Sequence, residues 1–227
     1  MLIRERAFIL QSKPFREGHL LVTLLTEKRG VLRALAQKAQ FSNSPLHASC
    51  QPFVEADFLL RVSPKSMASI LQSEVIDSHR ILRYDYNKAG FAAACSEWIR
   101  QVAGEDGLAT PAAAFHCFEN GLTWIENGSE PAFAYLRFLS CALSEAGISL
   151  EVDELLTWKL SANATELLIE MIESRGQLPT DVHYARDSIY ELLEILSLWI
   201  FDQTGIVLKS LKLAIQLSGG WDGDNSG

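Results

Sequence analysis

A chain of 227 residues with 48% hydrophobic and 21% charged side chains is long enough for one large core or two small ones, and too apolar to be disordered throughout. No apolar run reaches the roughly 18 residues a membrane span needs, and Met1-Leu2-Ile3-Arg4-Glu5-Arg6 lacks the apolar stretch of a secretory signal, so the expected compartment is the cytoplasm. A net charge of −8 argues against a generic nucleic-acid binder. That charge is unevenly spread. Residues 1–83 hold twelve Lys or Arg against seven Asp or Glu, a balance of +5, and the rest of the chain carries −13. Two readings fit: parts with different electrostatic roles, or a helical half covered in solvated glutamates.

The first third alternates with period two. Ala7–Gln11 predicts a strand, Ser12–Gly18 a turn, and Leu20–Thr26 a second, β-branched strand. Glu27-Lys28-Arg29-Gly30 has the charge and glycine of a hairpin connection, and Val31–Ala36 continues as a third strand. The polar segment Gln37–Cys50 predicts a loop. Phe53–Val62 predicts a fourth strand, Ser63-Pro64-Lys65-Ser66 a turn, and Ala68–Ile76 a fifth strand. Five short strands joined by polar turns fit a small closed barrel, with the strand count of an OB-fold.

After Arg83 the texture becomes helical. Tyr84–Val102 places Phe91, Ala94, Cys95, Trp98 and Val102 at helical spacing, and Gly104-Glu105-Asp106-Gly107 stops it. Thr110-Pro111 predicts a cap and first-turn proline for a helix reaching about Glu126. Ser129 predicts the cap of another, with Pro131 in its first turn and Gly147 at its end. Between 148 and 185, Glu151–Trp158 predicts a short helix, Ser161–Ser174 a longer one and Gly176–Tyr184 a loop. Asp187–Gln203 predicts the last helix, broken by Gly205, and the tail from Ser218 is expected to be disordered. The fold expected is α+β: an OB-fold barrel over 1–80, a helical domain over 81–217, and a tail over 218–227.

Signals for catalysis are missing. Cys50, Cys95, Cys117 and Cys141 are far apart with no C-x-x-C pair, and suit buried structural positions better than zinc ligation. His19, His47, His79, His116 and His183 show no metal spacing, and no nucleophile elbow, phosphate loop or dinucleotide fingerprint occurs. The carboxylate pairs Asp153-Glu154 and Glu170 with Glu173 lie on stretches that read as solvated helix faces. A binding protein without metal or cofactor is expected in place of an enzyme. Arg4, Arg6, Lys13, Arg16, Lys28, Arg29, Arg33, Lys38, Arg61 and Lys65 fall near strand ends or in loops, where cations can reach phosphate oxygens. Phe15 and Phe41 either stack on unpaired bases from loops or fill the ends of the barrel.

Together these residues resemble the RecO family. Arg6-Ala7-Phe8-Ile9-Leu10 with Pro14-Phe15-Arg16-Glu17 is similar to its opening, and Leu24-Leu25-Thr26-Glu27 with Gly30 and Arg33 to its second hairpin. Ser44, Leu46 and Gln51-Pro52-Phe53 match the following loop and strand. Arg137-Phe138 with Leu143 and Gly147, and Leu208-Lys209-Ser210, resemble later family positions. The pattern is dense over 6–83 and sparse beyond. The resemblance implies an OB-fold followed by a helical domain. It implies a non-enzymatic mediator that binds single- and double-stranded DNA, anneals complementary strands, and helps RecA onto strands coated by single-strand-binding protein (SSB). RecR and the acidic C-terminal tail of SSB are the partners it implies, with no membrane association.

On that footing the DNA-binding residues are Arg6, Lys13, Arg16, Arg29, Arg33, Lys38, Phe41, Arg61 and Lys65, and Arg137 is the receptor of the SSB tail, or else forms an ordinary surface salt bridge. Two departures stand out. The four-cysteine zinc site of many relatives is missing from Gly147–Ala162. In the loop after the third strand, where relatives carry K-G-A-R and further basic residues, this chain has Lys38-Ala39-Gln40-Phe41-Ser42-Asn43-Ser44 and keeps one cation. The alternative function is a RecO-like protein-interaction adaptor with weak or no DNA binding.

Overall fold

A computed structural model describes residues 1–63, 66–102, 109–150, 158–174, 176–179 and 184–218. Five strands, β1 (Leu2–Phe15), β2 (His19–Thr26), β3 (Gly30–Ala36), β4 (Glu55–Ser63) and β5 (Ser66–Asp77), form a closed barrel in the order β1-β2-β3-β5-β4. β4 closes the ring on β1, and only β3 and β5 run parallel. Closure leaves no free sheet edge around most of the ring.

β1 is longer than its hydrophobic run. Leu2–Phe8 pairs with β4 and Ala7–Phe15 with β2, with a register shift between Ile9 and Gln11. The turn expected at Ser12–Gly18 therefore shrinks to residues 16–18. Pro14 pairs opposite Leu20 inside the strand. Its missing N–H costs no ladder bond there, because beyond Ile9, which bonds to Phe53 and Val54, no strand pairs with the other side of β1 among the described residues. Glu17 (φ 55°) and Gly18 (φ 78°) make the turn.

Period two divides the side chains between two cores. Ala7, Ile9, Val22, Leu24, Ala34, Ala36, Phe58, Leu60 and Ile70 fill the barrel. Phe8, Leu10 and Leu25 point outward and join Phe53 in the core of the helical domain. The β2–β3 hairpin closes as expected, with the Thr26 hydroxyl donating to Gly30 O (3.0 Å) and accepting from Arg29 N–H (3.1 Å).

The helices are α1 (Ile81–Tyr84), α2 (Tyr86–Val102), α3 (Pro111–Asn127), α4 (Pro131–Glu145), α5 (Ala162–Glu173), α6 (Arg186–Thr204) and α7 (Lys209–Leu217). Thr110 and Ser161 cap α3 and α5 through their hydroxyls, and Gly205 ends α6 in a left-handed conformation (φ 72°). Ser129 does not cap α4; the carboxylate of Glu130 takes that place, accepting from Ala132 N–H. α1 and α7 lie outside the helices expected from the pattern. α7 buries Leu211, Ala214 and Ile215, and Ala214 meets α2 at Gly90, where a Cβ would crowd it. Its N-terminus is held by the buried Glu97, which accepts from Ser210 N–H at 2.7 Å. The Gly104–Gly107 stop, the Glu151–Trp158 helix up to residue 157, parts of the Gly176–Tyr184 loop and the tail after Ser218 lie outside the described residues. No helix among those described is long and apolar enough to cross a membrane.

The two domains meet over Phe8, whose ring lies 5.0 Å from Phe115, 5.3 Å from Phe118 and 6.0 Å from His79. Polar ties surround this contact. Arg6 bridges Glu55 of β4 and Glu119 of α3 and covers the Phe115 ring. His79 Nδ1 pairs with Glu126 at 2.7 Å, and Arg100 donates to Gln11 at 3.3 Å. Replacing Phe8 by Ala is expected to cost about 3–5 kcal/mol, because the lost ring is wholly buried between both domains. Denaturant unfolding followed by both circular dichroism and tryptophan fluorescence measures this.

Candidate nucleic-acid interface

The loop 37–50 folds back over the β1–β2 turn, so the one basic residue that it keeps is fixed in place. Gln40 N–H donates to Gly18 O (3.0 Å), and the Gln40 amide donates to His19 O (2.7 Å) and Phe15 O (3.3 Å). His19 Nδ1 accepts from Lys38 N–H at 2.8 Å, holding Lys38 in a left-handed conformation (φ 53°) with its side chain exposed. The Phe41 ring lies over Gly18, so close that a Cβ there would collide with it. Gly18 is thus needed twice, for positive φ and for the close approach.

Beside this loop runs an open groove of about 1090 Å³ whose lining includes Lys38, Phe41, Asn43, Ser44, Arg61 and Ser69. Two cations, an aromatic ring and several neutral donors face one trough, with Glu17 as the acidic member. Such a surface can hold phosphates at the cations and a base face at the ring. Phe41 is 51% exposed and Phe15 43%, so neither ring fills the barrel. Lys13 and Arg16 are exposed at the same end, with the Arg16 guanidinium 5.9 Å from the Phe15 ring. Arg33 is exposed on β3 opposite Thr23, facing away from the interior that Ala34 occupies.

Two of the expected DNA contacts are otherwise employed. Arg6 is clasped by Glu55 and Glu119, which makes it a tie between the barrel and the helices. Arg29 pairs through Nε with the buried Glu5 at 3.0 Å. Lys65 lies outside the described residues. Gln40, Asn43 and Ser44 went unnoticed as site residues because polar loop residues carry no signal until the loop's path is known.

In the helical domain, Arg137 of α4 lies at a second cavity of about 410 Å³, whose lining includes Trp124, Phe133, Tyr184, Arg186 and Ile189 with the polar Thr123, Asn127 and Glu130. Its guanidinium stacks 4.1 Å over the Trp124 ring and its Nε donates to Leu178 O at 3.1 Å. Burial pushes its pKa down, yet arginine stays charged under any ordinary condition. No carboxylate pairs with it among the described residues, so the ordinary salt bridge drops out for these. Trp124 and Arg186 were not anticipated, since they converge on Arg137 from separate helices.

Cys50, Cys95 and Cys117 are buried and Cys141 is half-buried. Burial pushes the Cys50 thiol up to about 11. Hydrogen bonding from Cys117 pulls the Cys141 thiol down. Among the described residues no group of three or more His, Cys, Asp or Glu is placed to hold a metal.

A closed five-stranded barrel of OB type, followed by a helical domain and carrying a basic and aromatic trough, sets the class of protein. Residues 1–79 match the family model described as Recombination protein O N terminal. The chain is 32% identical over 149 residues to DNA repair protein RecO of Oceanobacillus iheyensis, covering 66% of this chain and 57% of that protein. It is 35% identical over 99 residues to DNA repair protein RecO of Bacillus pumilus, covering 44% and 38%, and 33% identical over 105 residues to that of Shouchella clausii, covering 46% and 41%. Residues 1–79 belong to the RecO N-terminal family by that match, and the chain's similarity to the RecO proteins spans about half or less of these relatives' lengths.

Two outcomes test this geometry. Gly18→Ala is expected to lose about 1–2 kcal/mol from the left-handed position alone and to shift the Phe41 ring, read by denaturant unfolding and by the Phe41 ring resonances. Iodoacetamide at pH 8 is expected to label Cys141 first and to leave Cys50 unlabelled in the folded protein, read by peptide mass mapping.

Proposed function

We propose that this chain is a recombination mediator of DNA repair. In this reading it binds single- and double-stranded DNA on its barrel, anneals complementary strands, and with RecR assists RecA onto SSB-coated single strands. It catalyses no covalent step. The observation that carries the reading is the trough in which Lys38, Arg61 and the exposed Phe41 ring face one another on an OB-type barrel.

The chemistry suits annealing. Lys38, Arg61 and Arg16 are positioned to neutralise phosphates, and Phe41 offers a face on which any base can stack. Contacts of this kind leave the Watson–Crick edges open, so a held strand can still pair with its complement. SSB enters through its tail, an acidic segment ending in a carboxylate and apolar side chains, for which the Arg137 cavity supplies cations and aromatic walls. A second reading, an adaptor acting through protein contacts, is favoured by the internal ion pairs of Arg6 and Arg29. It gives the helical cavity the leading role and the trough a minor one.

Anisotropy of a labelled single-stranded oligonucleotide across a salt series separates the two. With three phosphate contacts at about 0.7 each, affinity is expected to fall about ten- to twenty-fold between 50 and 200 mM salt. Lys38→Ala with Arg61→Ala is expected to remove most of that dependence. Absence of binding at 50 mM salt favours the adaptor.

A further inference from the structure

The two arginines of the helical cavity are held in different ways. Arg137 is a fixed wall, stacked on Trp124 and bonded to Leu178 O. Arg186 is anchored on one side only: its Nη2 donates to Ser218 O at 2.7 Å and to the Tyr190 hydroxyl at 3.4 Å, with the guanidinium 5.2 Å from the Tyr190 ring. Its Nε faces Glu130 Oε2 at 3.7 Å, an ion-pair distance too long for a good hydrogen bond. Glu130 is restrained by its other duty, since Oε1 caps α4 at Ala132 N–H (3.4 Å). A guanidinium with a fixed plane thus faces a poorly placed carboxylate, at the edge of a cavity with mixed aromatic, aliphatic and polar walls.

We infer that Glu130 is a built-in competitor at Arg186, and that an acidic peptide docks in this cavity by placing its terminal carboxylate where Glu130 now pairs. The inference rests on the tail-binding reading above. Charge complementarity selects the occupant: two guanidiniums line a pocket that also presents Trp124, Phe133, Tyr184 and Ile189 beside the polar Thr123 and Asn127, so a chain end combining a carboxylate with apolar side chains satisfies both parts. Docking exchanges one carboxylate for another at Arg186. Glu130 is released to solvent while its capping bond to Ala132 can persist. The exchange lowers affinity, because a peptide must displace an acid already in place. It also raises specificity, because a neutral chain end gains nothing from displacing Glu130.

The test uses the full chain and a fluorescein-labelled peptide of several aspartates ending in proline and phenylalanine, as free acid and as C-terminal amide, read by anisotropy. Glu130→Gln keeps the capping oxygen and removes the charge. It is expected to tighten the free acid about three-fold, the scale of an exposed ion pair, and to leave the amide unchanged. Arg186→Ala is expected to weaken the free acid about ten-fold and to abolish the effect of Glu130→Gln. Tightening that persists in the Arg186→Ala background, or that is equal for acid and amide, overturns the inference. So does an unchanged affinity in Glu130→Gln when the wild type binds and Arg137→Ala weakens binding, an outcome that leaves the tail reading standing. Failure of the wild type to bind the free acid at 50 mM salt overturns the tail reading and this inference with it.

Discussion

The packing of β1's outward face against α3 is the constraint on which the remaining structure depends. β1 must serve two cores at once, with Ala7 and Ile9 inside the barrel and Phe8 and Leu10 in the helical domain. A slip of one residue would exchange these sets and bury neither correctly. Arg6 reinforces the register by pairing with both Glu55 and Glu119. Removing one partner from such a cluster leaves a half-buried charge without compensation, which is why its members act as a unit. The same constraint gives Arg6 a part in cohesion between the barrel and the helices.

Much of the barrel could be read from the chain, because period-two alternation and turn residues are local properties. Thr26 and Gly30 close their hairpin where the pattern placed it. What escaped was non-local. The extent of β1 depends on β4 supplying a partner for Leu2–Phe8 and on the unpaired edge that tolerates Pro14. α7 depends on Glu97, more than a hundred residues earlier in the chain, for its N-terminal hydrogen bond. Residue type alone likewise suggested Ser129 as a cap, while the backbone placed Glu130 there.

The candidate sites divide along the same line. Lys38, Phe41, Arg61 and Arg137 were recognisable because a cation or aromatic in a loop, or a rare cation in an acidic half, stands out by type. Their surroundings did not. His19 fixing Lys38, Gly18 admitting Phe41, and Trp124 with Arg186 framing Arg137 are matters of chain path. Arg6 and Arg29 show the converse, since charge seen in sequence says nothing of whether a carboxylate already pairs with it.

The charge distribution gives the two sites a common logic. Most of the chain after residue 83 repels a polyanion, and the balance of −13 there is set against only a few exposed cations at one end of the barrel. At physiological salt, repulsion reaches about 8 Å, which on the proposed reading turns a nucleic acid away from the helical surface and towards the trough. On the proposed reading an acidic peptide meets the same repulsion over the helical domain and finds two cations together at the cavity of Arg137 and Arg186. Local charge would then assign the two proposed anionic ligands to separate places, within a protein whose net charge opposes both.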